Sequence, residues 1–351
     1  MRTRWLAGLL LAGLCSAQRP TIQQSNTTEN LRGVSAVSAK LIWASGAHGT
    51  YLRTLDGGNR WTPAQVPGAE ALDFRDVEAF STDETYLLAA GPGDRSRIYK
   101  TVDAGRTWAL QFTNREPRGF YDCMAFWDPG HGIALGDPVD GKFELMATDD
   151  GTHWNPLAPA SFPPALEGEG AFAASGTCIA VQGGSNVWFA TGGKAARVFR
   201  SSDRGKTWAV ADTPIVHGSD SSGIFSIFFR DAKHGVIAGG DYQHPEEEGR
   251  NLAYTEDGGD TWKLSPIQRQ PFLSAAGYIE PSRAHGLLAV GSAHAAFADD
   301  IAQPKWLVFL DTNLNALSFV APGDAWAVGP KGLIMHWSRR QVGAREGKHG
   351  P

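Results

Sequence analysis

The sequence predicts an all-β chain, a seven-bladed β-propeller of four-stranded antiparallel blades. Three observations carry that prediction. A short apolar strand ending in small residues and glycine recurs seven times, and an aspartate turn closed by tryptophan recurs with it. The composition agrees: 42 Gly and 12 Trp among 351 residues, with 20% charged residues, favour sheet over helix. No stretch of ten or more residues carries a helical period.

The strand motif reads Trp43-Ala-Ser-Gly46, Leu88-Ala-Ala-Gly91, Ala134-Leu-Gly136, Phe189-Ala-Thr-Gly192, Ile237-Ala-Gly239, Ala289-Val-Gly291 and Ala327-Val-Gly329. Its glycines lie 45, 45, 56, 47, 52 and 38 residues apart, close to the ~40–50 residues of a four-stranded blade. Within a repeat, Phe126-Trp-Asp-Pro-Gly-His-Gly-Ile-Ala-Leu-Gly136 and Phe229-Arg-Asp-Ala-Lys-His-Gly-Val-Ile-Ala-Gly239 each run from an apolar strand through a polar turn into a second strand. Two such hairpins give four strands. Trp43, Trp188 and Trp326 precede the strand-end glycine at equivalent places, so they are expected to pack between blades.

Elements follow in chain order. Residues 1–17 read as a signal peptide: Arg2 and Arg4, an apolar run from Trp5 to Leu14, and Cys15-Ser16-Ala17 at the cleavage point. Ten apolar residues fall short of the ~20 that span a bilayer, and the bulky Leu14 argues against Cys15 as a lipid anchor. The expected location is therefore periplasmic or secreted, with no membrane span. Residues 18–338 form the propeller, in which Gln18–Asn30 pairs with the seventh blade near Met335-His-Trp337 and so removes an exposed edge. Residues 339–351, with Arg339, Arg340, Arg345 and Lys348, read as a disordered basic tail. Longer loops are expected at Pro156–Gly176, Asp241–Arg250 and Ala293–Lys305, the usual seats of binding on a rigid scaffold.

The turn motif is Thr54-Leu-Asp-Gly-Gly-Asn-Arg-Trp61, Thr101-Val-Asp-Ala-Gly-Arg-Thr-Trp108, Ser201-Ser-Asp-Arg-Gly-Lys-Thr-Trp208 and Thr255-Glu-Asp-Gly-Gly-Asp-Thr-Trp262, with a shorter copy, Thr148-Asp-Asp-Gly-Thr-His-Trp154. An aspartate here accepts turn amides, glycine supplies a left-handed backbone, and tryptophan covers the hairpin base. Asp56, Asp103, Asp150, Asp203 and Asp257, with Trp61, Trp108, Trp154, Trp208 and Trp262, are therefore structural staples, and once-per-repeat recurrence argues against catalysis or metal binding. The pattern resembles the Asp-box, or BNR repeat, of sialidase-like propellers. With the segments Gly46-Ala-His-Gly-Thr-Tyr-Leu-Arg-Thr-Leu-Asp-Gly-Gly58 and Phe172-Ala-Ala-Ser-Gly-Thr-Cys178 it resembles more narrowly the photosystem II stability and assembly factor family and its bacterial relatives. That resemblance implies a non-catalytic scaffold docking a protein partner in the cell envelope. A glycoside hydrolase of sialidase-like or polysaccharide-hydrolase type is the alternative, and with it a glycan ligand. The Arg-Ile-Pro context of the first sialidase arginine is missing from this sequence.

Net charge is −5, or −7 without Arg2 and Arg4, which argues against nucleic acid as a partner. Gly168-Glu-Gly-Ala-Phe-Ala173 fits a dinucleotide fingerprint only formally, since no helix follows to bind phosphate. No cofactor and no metal is expected. His131, His234 and His285 each precede a glycine as repeat grammar, and His244 lies in a solvated acidic loop. Cys123 and Cys178 read first as buried small hydrophobes, an oxidising compartment leaving a bridge open. No residue is expected to be catalytic. The candidate binding residues ring the channel mouth: Arg32, Arg75, Asp76, Tyr121, Asp122, Asp137, Glu169 and Asp241. Repeat alignment places Arg32, Arg75 and Tyr121 at one position of the inner strands and Asp76 and Asp122 at the next. Such residues either bind a ligand or form an Arg–Asp lattice between blades.

Overall fold

The computed structural model describes residues 20–266, 270–279, 286–298, 301, 306–320 and 323–338, and for 306–310 the backbone alone. The expectations for residues 1–17, 339–351 and His285 lie outside these. Seven antiparallel sheets succeed one another around an axis. The first blade comprises Leu31–Ala36, Ile42–Gly46, Thr50–Thr54 and Thr62–Gln65, and the second repeats the pattern from Phe74–Ala79 to Ala109–Thr113. Each of the seven motif strands is the second strand of its blade. Two single-turn 3-10 segments, Gly93–Arg95 and Pro330–Gly332, are the helical content of the described residues.

The ring closes as the edge argument requires. Thr21–Gln23 adds the outer strand to the seventh blade, pairing Thr21 with His336, Ile22 with Met335 and Gln23 with Ile334. One blade thus takes strands from both ends of the propeller, so that neither terminal edge is left open. Around the axis, inner strands pass side-chain oxygens to main-chain N–H groups of the next blade. Ser318 accepts from Ala36 N–H (2.9 Å), Ser35 from Ala79 (3.1 Å), Asp76 from Met124 (2.7 Å) and Ser226 from Ala276 (3.3 Å).

Aromatics fill the seams. Trp326 meets Trp61 edge-on at 5.8 Å, and Trp43 meets Trp108 at 6.4 Å, each pair joining a second-strand tryptophan to the turn tryptophan of the next blade. Trp188 and Trp262 share one apolar cluster in the same way. The turn tryptophans therefore weld neighbouring blades as well as covering hairpins.

The five aspartate turns are built alike. Thr54 donates its hydroxyl to Asp56 (2.8 Å), Gly58 N–H donates to Thr54 Oγ1 (2.9 Å), and Arg60 N–H donates to Asp56 (2.9 Å). Asp103, Asp203 and Asp257 take the same partners, and Asp150 accepts from Thr152 and His153. Gly58, Gly105, Gly205 and Gly259 sit at φ of +88°, +80°, +79° and +87°, where a Cβ is strained. These turns join third to fourth strands, on the rim opposite the mouth described below.

Two expectations are corrected. Cys123 and Cys178 are joined in a disulfide with Cα atoms 6.0 Å apart, because the inner strands of blades three and four bring them side by side. The expected loop Ala293–Lys305 holds a third strand, His294–Ala298, hydrogen-bonded on both sides.

Candidate functional site

Inner strands begin at one mouth of the channel, and there the ladders of four blades are bulged. Register breaks fall between Leu31 and Gly33, Phe74 and Asp76, Tyr121 and Cys123, and Ile224 and Ser226. An extra residue in a strand swings its side chain out of the ladder. The four residues so placed are Arg32, Arg75, Asp122 and Phe225. Asp122 is thus the structural equivalent of Arg75, one position from where repeat alignment put it, and Tyr121 is equivalent to Phe74. Tyr121 accordingly turns into the seam, buried against Phe112, with burial pushing its phenol well up.

The mouth opens on a recess of about 500 Å³. Arg32, Arg75, Asp122 and Asp137 line one side, and Phe172, Phe225, Tyr242 and Phe272 the other. Across it runs a strap, residues 171–177, the end of the loop flagged as Pro156–Gly176. Arg32 Nη2 and Arg75 Nη1 both donate to the carbonyl of Ala173, at 3.3 and 3.2 Å. Asp137 accepts the Ala171 N–H at 2.9 Å. Phe172 stacks on Phe225 with ring centres 3.9 Å apart and planes 6° from parallel.

The charges here are incompletely paired. Arg75 has an acid partner in Asp73 at 2.8 Å, whereas Arg32 has no ion pair among the described residues and its buried Nε has no acceptor. Burial, then the neighbouring Arg75, lower the Arg32 guanidinium to about 10. Asp122 is 1% exposed and its Oδ2 is bare. Burial and then the nearby Asp137 push its carboxyl well up, against the pull of Arg75. Burial raises Asp137 as well, opposed by the Ala171 N–H.

The other candidates lie apart. Asp76 sits one step deeper, tied to Met124 as an inter-blade staple. Glu169 is fully buried in an ion pair with Arg197 and accepts the Thr191 hydroxyl at 2.6 Å and the Leu166 N–H at 2.8 Å, so it anchors the strap's root. Asp241 closes its own rim loop, accepting from Gln243 N–H (2.9 Å) and Ser219 (3.1 Å). Among the described residues neither Arg32 nor Arg75 pairs with Asp76 or Asp122, so the Arg–Asp lattice does not form. His131 and His234 pair with Asp128 and Asp231 in equivalent turns, and His244 faces Asp241 at 3.4 Å. The aromatic wall was not among the candidates. Its sequence signals were indirect: Phe172 and Tyr242 fall in two of the three loops whose length stood out, and Phe172 opens the segment Phe172–Cys178 that carries part of the family resemblance.

The molecule is a closed seven-bladed propeller with an internal strap across one mouth of its channel. No family model matches the chain. It is 24% identical over 246 residues, 66% of its length, to a xyloglucanase of a Paenibacillus species, and spans about a fifth (21%) of that enzyme. Among solved structures it superposes on YCF48 bound to D1 peptide with a TM-score of 0.64 at 14% identity, over 91% of this chain and 97% of that one. YCF48 from Cyanidioschyzon merolae gives 0.62 at 17% identity, over 91% and 98%. The WD40 propeller domain of Doa1 gives 0.60 at 11%, over 92% and 98%. At such identities the likeness is one of fold. No described helix is long and apolar enough to cross a membrane.

Proposed function

We propose that this chain is an exported, non-catalytic propeller of Asp-box type that docks a protein partner of the cell envelope through its channel mouth. The observation that carries the reading is the incompletely paired mouth: among the described residues, Arg32 without an ion pair and Asp122 with one bare, buried oxygen share one recess. Groups buried without partners cost stability, and a partner that supplies them gains it. A propeller of the same architecture is known with a peptide bound, and a disulfide suits an oxidising compartment. The test is affinity capture from the host's envelope fraction with the wild type and with Arg75→Ala. Capture is expected to fall more than melting temperature does, and the opposite ranking makes Arg75 a structural residue.

A second reading rests on the xyloglucanase likeness together with two carboxyl groups, Asp122 and Asp137, at one mouth. It is a glycoside hydrolase, and it requires turnover of xyloglucan or a chromogenic glycoside that vanishes in Asp122→Asn. A blank glycosidase panel removes it.

A further inference from the structure

The strap lies in the mouth as a ligand would. Its side chains there are small, Ala171, Ala173 and Ala174, apart from one aromatic ring, Phe172. That ring occupies a slot made for it. A Cβ on Gly192 would come within 2.2 Å of the Phe172 ring, so this glycine leaves the room the ring fills; one on Gly223 would first meet the Gly192 main chain at 2.3 Å and then the ring at 3.1 Å, so Gly223 lets the two backbones close beneath it. Phe225 stacks beneath it, and Tyr242 meets both rings edge-on at 6.2 and 6.0 Å. Phe272 closes the far side of Phe225 at 4.8 Å. Beside the slot, the charged groups grip main chain alone: two guanidiniums on the Ala173 carbonyl, Asp137 on the Ala171 N–H and Asp122 on the Ala173 N–H.

The two ends are fixed much more firmly than the middle. At the root, Glu169 is locked to Arg197, and Glu169–Gly170 pairs with Gly192–Gly193. Past the other end, Cys178 is bonded to Cys123. Between these anchors Phe172 and Ala174 are half-buried and alternate with the buried Ala171 and Ala173. The middle can therefore leave without unfolding the blades, since the inner-strand staples described above run elsewhere and it gives up only its bonds to Arg32, Arg75, Asp122 and Asp137 and its stack on Phe225.

We propose that the strap holds the mouth in the partner's absence, and that the partner is an extended peptide segment presenting an aromatic side chain beside a free main-chain carbonyl, which takes the strap's place. This rests on the docking reading above. A self-contact that must be released lowers apparent affinity by the fraction of molecules in which it is open, so loosening the strap tightens binding.

The probe is a labelled peptide of the strap itself, residues 168–176, followed by fluorescence anisotropy. Wild type is expected not to bind it measurably. Phe172→Ala empties the slot and is expected to bind it at least about tenfold more tightly. Adding Gly192→Ala to Phe172→Ala fills the slot with a methyl group and is expected to abolish that gain. Absence of binding to a Phe172→Ala protein that melts like wild type overturns the proposal, as does equal binding by the single and double variants. Partner captured on Phe172→Ala is also expected to be released by excess strap peptide. Partner that is captured but not released overturns the identity proposed for it while leaving docking intact. Absence of any captured partner counts against the docking reading, and the peptide titration still judges the slot.

Discussion

At the scale of single residues, two acids in adjacent inner strands have opposite lives although the sequence makes them look alike. Asp76 stays within its ladder region and hands an oxygen to Met124 of the next blade. Asp122 sits on a bulge and faces the recess. Bulges arise from register against the neighbouring strand, which no single strand's sequence displays. This is why alignment of the repeats placed Asp122 with Asp76. Burial pushes Asp76 up to about 7, against the Met124 and Val77 amides, and Glu78 beside it is raised by burial and by Asp76. An acid whose folded pKa exceeds its unfolded value near 3.9 binds its proton more tightly when native. Its ionisation therefore subtracts stability as pH rises from about 4 to about 7. Asp76→Asn keeps an acceptor for Met124 and removes the charge. Its melting temperature relative to wild type is expected to improve steadily from pH 4 to pH 7, by about 1–2 °C for each kcal/mol recovered in a propeller of this size. A difference that is flat or falls with pH contradicts this assignment.

At the scale of elements, the aspartate turns were fully legible because each is local. Donors, acceptor and left-handed glycine lie within eight residues, so the chain segment specifies its own conformation. Asp203 shows the energetics. Partial burial would raise it, yet the Thr207 hydroxyl and N–H and the Ser201 hydroxyl hold it down to about 2. Asp203→Ala removes these bonds from an exposed turn and is expected to cost about 1 kcal/mol, kept small by solvent screening. A depressed acid stabilises above its unfolded pKa and ceases to do so as pH falls through its folded one. The deficit of the variant, followed by urea melts, is thus expected to shrink between about pH 4 and pH 2. The strap is the contrary case. Its length stood out in the spacing of 56 residues between the third and fourth glycines, but its course depends on Arg32, Arg75, Asp137 and Phe225 from four separate stretches of chain.

At the scale of the whole molecule, closure and cross-linking act together. Seven sheets that each bury their faces against neighbours gain stability only once the ring is complete, which the N-terminal strand ensures by completing the seventh blade. The disulfide ties blades three and four across 55 residues of sequence and fixes the strap's far end. Reduction, or the double change Cys123→Ala and Cys178→Ala, is expected to remove roughly 2–4 kcal/mol. Calorimetry with and without dithiothreitol checks this, and two titratable thiols in the untreated denatured protein would refute the bridge.

The sequence by itself determined the blade count, the turns, the seam tryptophans and the manner of closure. Each is written in short, repeated segments whose periodicity survives divergence, and the unpaired edge of an open ring leaves the ends one sensible partner. Only the tertiary structure decided which polar residues face the mouth, that Glu169 is an anchor, that Cys123 meets Cys178, and that an aromatic slot exists at all. Those features depend on strand register and on the meeting of distant loops, which are set by packing among blades and not by any one of them.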